Sequence, residues 1–229
     1  MDAVKLKPNF SIEKAHKTQL KLSKRIVLED MLPEKIRFVA GVDAAYVKDL
    51  AVGAVAVLDY ASLELVESKT VRCKVRFPYV PTLLSFRETP PTVLCIKKLD
   101  LQPDVFLVDA HGFAHPYRCG FASYLGIVIG KPTIGVAKGR LFGDVEDAMS
   151  QKDVALLKHE DEVIGAVVKT KQECKPVYVS VGHMVSLETA VKIVRHCVCH
   201  SRIPEPVLKA HQIATAEKRK INIASATSK

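Results

Sequence analysis

Asp43 and Asp109 each stand in an apolar stretch that reads as a β-strand, and few sequence features restrict a fold so strongly. Asp43 interrupts Phe38-Val-Ala-Gly-Val-Asp-Ala-Ala-Tyr46, and Asp109 closes Val105-Phe-Leu-Val-Asp109. Burying an ionised carboxylate in a β core costs several kcal/mol unless it is compensated. Read alone, either Asp could cap a turn or the helix that follows. Two such strands side by side, with a third acid, would instead form an oxygen-rich cage suited to a hard divalent cation such as Mg²⁺.

The rest of the chain bounds what surrounds such a cage. The 229 residues, 48% of them hydrophobic, fit a single globular domain spanning residues 1–229 with a sizeable core. No apolar run reaches the roughly 20 residues that span a bilayer, so no membrane partner is expected. Met1-Asp-Ala-Val-Lys-Leu-Lys7 lacks the apolar centre of a signal peptide, which points to the cytoplasm. Six cysteines scattered among apolar segments suit reduced core thiols better than a disulfide framework, and Cys197-Val-Cys199-His200 lacks the spacing of a zinc clip. Lysine and arginine exceed the acids by 34 to 25, a net charge of +9. A polyanion is the natural partner of such a surface, because displaced phosphate counterions favour binding.

Periodicity orders the elements. A helix is predicted over Ile12–Ile26, with Leu20, Leu22 and Ile26 as its apolar stripe. Three β runs follow, Phe38–Val47, Ala51–Asp59 and Leu63–Val75, with links short enough for an antiparallel meander. Phe77-Pro-Tyr-Val-Pro81 must be extended. A helix from about Thr82 is expected to halt at Pro90-Pro91, with a second over Val93–Leu99. Strand Val105–Val108, helix Phe121–Ile129 and strand Thr133–Ala137 form a β–α–β alternation with parallel strands. A β pair (Val163–Thr170, Val177–Val181) and helices over Ser186–Cys199 and from Pro206 toward Lys220 complete the chain. Three antiparallel strands followed by β–α–β is the order of an α/β, ribonuclease H-like fold: a central mixed sheet flanked by helices. There the first strand lies beside the fourth, so Asp43 and Asp109 become neighbours.

Four ordered motifs resemble one family. Phe77-Pro-Tyr-Val-Pro-Thr-Leu-Leu-Ser-Phe-Arg-Glu88 is similar to the Pro-Tyr-Ile-Pro wedge and Phe-Arg-Glu helix of endonuclease V, and Asp109-Ala-His-Gly-Phe-Ala-His-Pro-Tyr-Arg-Cys-Gly120 to its Asp-Gly-His-Gly…His-Pro segment. Gly41-Val-Asp43 and Gly135-Val-Ala-Lys138 match further blocks in order, and the resemblance runs from about Ile36 to His211. It implies a DNA-repair endonuclease that recognises deoxyinosine and hydrolyses the second phosphodiester bond 3′ to it. The products would carry a 3′-hydroxyl and a 5′-phosphate. Inosine in RNA is the alternative target, and a less selective nuclease of the same fold a further one.

The resemblance also implies roles. Asp43, Asp109, Glu88 and His211 would hold Mg²⁺ (Mn²⁺ substituting), with Asp43 placed to bridge two ions. Asp43, Glu88, Asp109 and Lys138 form the expected catalytic set, Lys138 orienting water or neutralising the scissile phosphate. A Lys at a strand end also simply reaches solvent, and a lone helical His is commonly a surface residue. Glu88 is expected near a helix C-terminus, where the macrodipole disfavours an anion and a metal would explain its presence. Pro78, Tyr79, Val80 and Pro81 would be the wedge that fills the gap left by an extruded base. Leu84, Gly112, His115 and Gly120 would line the base pocket.

Three positions depart from the pattern: Thr82 and Ala110 replace glycines, and Tyr117 replaces an arginine, leaving Arg118 beside it as a phosphate contact. A ribonuclease H or resolvase-type nuclease would explain the acids but give Pro78–Pro81 no purpose. A catalytically silent nucleic-acid-binding domain would leave Asp43 and Asp109 unexplained. A monomer is expected.

Overall fold

The computed structural model describes residues 11–146 and 153–227. Residues 1–7, on which the signal-peptide argument rests, lie outside that range. Helix α1 (Ile12–Ser23) leads into the antiparallel meander β1 (Phe38–Val47), β2 (Leu50–Asp59) and β3 (Leu65–Lys74). Helix α2 (Leu84–Ile96), strand β4 (Val105–Val108), helix α3 (Phe121–Ile129) and strand β5 (Thr133–Ala137) follow. Strands β6 (Asp144–Val145), β7 (Val154–His159), β8 (Glu162–Val168) and β9 (Val177–His183), then helices α4 (Leu187–His196) and α5 (Glu205–Thr227), complete the chain. The strands form one sheet in the order β3-β2-β1-β4-β5-β9-β8-β7-β6. β1 runs parallel to β4, and β4 to β5. This is the mixed sheet of a ribonuclease H-like α/β fold.

The sheet's two faces are packed by different helices, and strand alternation decides which residues go where. Val39 of β1, Val105 and Leu107 of β4, and Ile134 and Val136 of β5 pack with Val194 of α4 and Val207 and Ala210 of α5. Ala40, Val42, Phe106 and Val108 point the other way, toward Cys95 of α2 and Phe121 and Leu125 of α3. Continuing the alternation reaches Asp109 and Lys138 two residues beyond Leu107 and Val136, and Asp43 four residues beyond Val39. All three fall on the α5 side at one end of the sheet. Val42 pairs with Val108, so the two aspartates leave adjacent strands at the same level.

Gly41 fixes how closely α5 can approach. A Cβ there would lie 1.9 Å from the Pro206 carbonyl oxygen, so only glycine lets the start of α5 cross β1 at this depth.

Several expectations need correction. α1 stops at Ser23, and its inward residues are Ala15 and Gln19, while Leu20 is exposed. α2 is one helix running through Pro90 and Pro91 rather than two. An internal proline costs about 3 kcal/mol. Here the helix is held by packing on β2, where the Pro91 carbonyl oxygen would lie 2.6 Å from a Cβ on Gly53, with Pro91, Thr92 and Cys95 all buried. α5 continues past Lys220 to Thr227, and the short β6 and β7 had no clear signal in the sequence. All six cysteines are free; Cys95, Cys119 and Cys197 are buried, but Cys199 is exposed.

Candidate active site

Five elements, β1, β4, β5, α2 and α5, converge where β4 ends beside the middle of β1. Asp43 and Asp109 keep side-chain exposures of 15% and 14%, so both are largely withdrawn from water while still open to a ligand. His211, one turn beyond the buried Val207 of α5, reaches back to β1 with its Nδ1 2.8 Å from Asp43 Oδ2. One donor atom from each of Asp43, Asp109 and His211 lies within 4.8 Å of the others. Lys138, just past β5, contacts Asp109 Oδ2 through its Nζ.

Glu88 enters from α2. It is the fifth residue of that helix, so the expected placement near a helix C-terminus is wrong. The error follows from treating Pro90-Pro91 as a stop. Burial, followed by the charges of Asp43 and Asp109, pushes the Glu88 carboxyl up to about 8. Burial and Asp109 likewise raise Asp43, and the His211 hydrogen bond partly offsets them. Asp43 and Asp109 therefore face one another, with the buried Glu88 near them but outside the group whose donor atoms come within 4.8 Å, and with too little positive charge among the three. That imbalance, together with an oxygen-dominated donor set, fits a divalent cation such as Mg²⁺ or Mn²⁺. The buried Tyr46 hydroxyl lies between Glu88 and Arg87, and burial together with Glu88 pushes its titration up. Arg87 stacks its guanidinium 4.0 Å over the Tyr46 ring, so it braces the site from the side.

The Pro78–Pro81 segment stands beside this cluster. Tyr79 is 70% exposed, an unusual position for an aromatic ring unless it has something to insert into. Arg87 Nη1 donates to the Phe77 carbonyl at 3.0 Å and fixes the start of the segment. Tyr79, Val80 and Pro81, with Leu84, His115 and Gly120, line a cavity of about 370 Å³ that Asp109 and Lys138 border. Gly112 is not among its lining residues. A Cβ there would meet the Val181 carbonyl at 2.1 Å, so Gly112 allows β9 to pack closely.

The turn after Pro81 is held by contacts that the sequence did not suggest. Thr82 has φ +67°, in the left-handed region where a β-branched residue is rare and glycine is at ease. Its carbonyl accepts from Gln19 Nε2 at 2.8 Å and from His115 Nε2 at 3.1 Å. Its hydroxyl donates to the Pro81 carbonyl, leaving Oγ1 to accept from His16 Nε2 at 3.1 Å. The His16 ring also stacks on Tyr117, with centroids 4.1 Å apart. Thr82 and Tyr117 are thus joined through one histidine of α1.

His115 is buried, and its Nδ1 accepts from the Tyr117 amide, so both ring nitrogens are engaged. Burial holds it neutral, down to about 4. Arg118, expected to meet phosphate, is instead tied to Glu162, His159 and the His115 carbonyl. His111, which sequence reasoning passed over, lines the cavity with Nε2 2.9 Å from the Gly139 carbonyl and a buried Nδ1 that has no partner among the described residues. Gln19 was the detectable signal among the missed residues: an amide on the inward stripe of an amphipathic helix needs a buried partner.

The family model for endonuclease V matches residues 20–212. The chain belongs to the endonuclease V family. The endonuclease V of Thermofilum pendens is 47% identical over 216 residues, covering 94% of this chain and 92% of that protein. A crystal structure of endonuclease V from Streptomyces avermitilis superposes with a TM-score of 0.86 at 35% identity, covering 96% of this chain and 99% of that one. That of Ciona intestinalis, in complex with a 23mer DNA containing an inosine followed by a ribo-adenosine, superposes at 0.81 with 35% identity, covering 92% and 98%. Family membership makes the chain a nuclease, and no helix among its described residues is long and apolar enough to cross a membrane.

Proposed function

We propose that this endonuclease recognises deoxyinosine in DNA and hydrolyses the second phosphodiester bond on its 3′ side, with Mg²⁺ (or Mn²⁺) at the acidic cluster. The observation that carries the reading is the junction of two sites. A cavity headed by an exposed tyrosine and the acidic cluster share Asp109 and Lys138. Base selection and phosphodiester chemistry would then sit side by side on one strand. The Ciona intestinalis relative, bound to inosine-containing DNA, supports the substrate class.

A pair of divalent cations would stabilise charge on the attacking and leaving oxygens and make the attacking water more acidic. Asp43, on the central strand, would contribute to both positions, with Asp109 and Glu88 as further ligands. His211 hydrogen-bonds Asp43 and orients its carboxylate from the solvent edge, where it can also serve as a ligand. Lys138 brings a positive charge to the scissile phosphate. The water oxygen ends on the 5′-phosphate, and the departing oxygen takes up a proton to become the 3′-hydroxyl. Tyr79 would fill the gap left by the extruded base, its rotation limited by Pro78 and Pro81. Hypoxanthine differs from adenine in carrying O6 and N1–H. The main chain near Gly120, which lines the cavity, would read such an edge. We place the protein in the cytoplasm as a monomer.

The test is gel-resolved cleavage of matched duplexes with and without one deoxyinosine, in Mg²⁺ or EDTA. A single Mg²⁺-dependent nick at the second bond 3′ to inosine is expected. Asp43→Asn should slow it by at least about 10²–10³-fold while retaining binding. Equal cutting of both duplexes would refute base selection, and normal cutting by Asp43→Asn would refute the metal assignment. If neither DNA is cut, the same assay on inosine-containing RNA decides whether RNA is the target.

A further inference from the structure

The endonuclease V family match stops at residue 212, yet α5 continues to Thr227. The part beyond the match is not an idle extension. Helical spacing puts His211, Thr215, Lys218, Arg219 and Asn222 within an arc of about 100°, and all five line one cleft of about 550 Å³ with Asp43 and Asp109. The opposite side of the same turns is fastened to the sheet. Ala210 and Ala214 are buried, and Glu217 accepts from Arg72 Nε of β3 at 2.9 Å and pairs with Lys220 at 3.3 Å. The fastening faces Lys218 and Arg219 into the cleft, and among the described residues neither has an acidic partner. Two uncompensated cations, a hydroxyl and an amide along one helix face match a run of phosphates on a single strand.

We infer that this face of α5 is a binding track for the nucleic-acid strand on the 3′ side of the cut. The direction rests on the proposed base selection. The tyrosine-headed cavity and the α5 cleft meet at Asp109 and Lys138. A strand with its base in the first and a phosphate at the acids leaves through the second. Because the base lies 5′ of the bond that is cut, the departing segment is the 3′ one.

The experiment compares Asp43→Asn with Asp43→Asn/Lys218→Ala/Arg219→Ala. Alanine favours the helix, and circular dichroism reports whether the fold is kept. Affinity is measured against salt for duplexes with and without inosine. Losing two phosphate contacts should reduce the slope of log affinity against log salt by about 1.8. An unchanged slope overturns the track, whichever duplex is used. Single methylphosphonate replacements then test direction. Neutralising phosphates 3′ of the cut should weaken the parent and leave the triple variant unaffected, with both equally sensitive on the 5′ side. Lost sensitivity on the 5′ side instead would overturn the assigned polarity. Equal affinity for both duplexes would count against base selection alone, because the slope difference does not depend on inosine.

Discussion

Thr82 shows how a single residue can oppose its own backbone. A β-branched side chain at φ +67° costs roughly 1–2 kcal/mol, yet here its hydroxyl is held by His16 and its carbonyl by Gln19 and His115. Replacing it with glycine removes the steric cost but also the hydroxyl that connects the Tyr79 loop to α1. Thr82→Gly is therefore expected to keep or raise the melting temperature while reducing discrimination between inosine and adenosine duplexes. A loss of stability with unchanged discrimination would show that the His16 link outweighs the strain and does not position the wedge.

Glu88 supplies the pH dependence. Its carboxyl ordinarily titrates near 4.5 and here is pushed up to about 8. Between those values the folded protein keeps a proton that the unfolded chain has lost, so stability falls as pH rises through that window. Urea unfolding of metal-free protein from pH 5 to 8 should show this decline, and Glu88→Gln should flatten it. A cation that binds the ionised acids would bind more tightly as pH rises across the same range.

At the scale of elements, the site depends on how α5 crosses β1. The contact at Gly41 leaves no room for even a methyl group. Gly41→Ala must therefore shift the start of α5 and, with it, His211, Lys218 and Arg219. A loss of about 1–3 kcal/mol is expected, accompanied by weaker metal binding although no proposed ligand has been altered. Calorimetric titration with Mn²⁺ would check it; normal affinity would mean that α5 adjusts without moving His211. α2 makes a related point from the opposite face. Two prolines within a helix look like a break, but the helix spans them because Pro91, Thr92 and Cys95 gain burial against β2. Packing outweighs local preference there, and it places Glu88 inside the helix.

Across the whole molecule, the acidic cluster is a concentration of like charge in a chain with a net charge of +9. Folding without a cation leaves Asp43 beside Asp109 with the charge between them uncompensated and holds Glu88 protonated up to about 8. Mg²⁺ at about 100 times its dissociation constant should therefore raise the melting temperature by roughly 5–10 °C. Asp43→Asn should lose most of that response, and a melting temperature indifferent to Mg²⁺ and EDTA would count against a cation site.

The sequence by itself determined the order of the first five strands and the two-residue alternation. Those are enough to bring Asp43, Asp109 and Lys138 to one face and one end of the sheet. Such information is local: period, register and turn length are set by neighbouring residues. The expected strands Phe38–Val47 and Val105–Val108 accordingly agree with β1 and β4 residue for residue. Only the tertiary structure decided that Glu88 sits within a continuous helix, that Gly112 serves β9 packing rather than the cavity, and that Arg118 is already engaged. It alone joined His16 to Thr82 and Tyr117, and faced Lys218 and Arg219 toward the acids. Those contacts link segments 66 or more residues apart, and their formation depends on how whole helices dock, which is set by summed packing rather than by any local pattern.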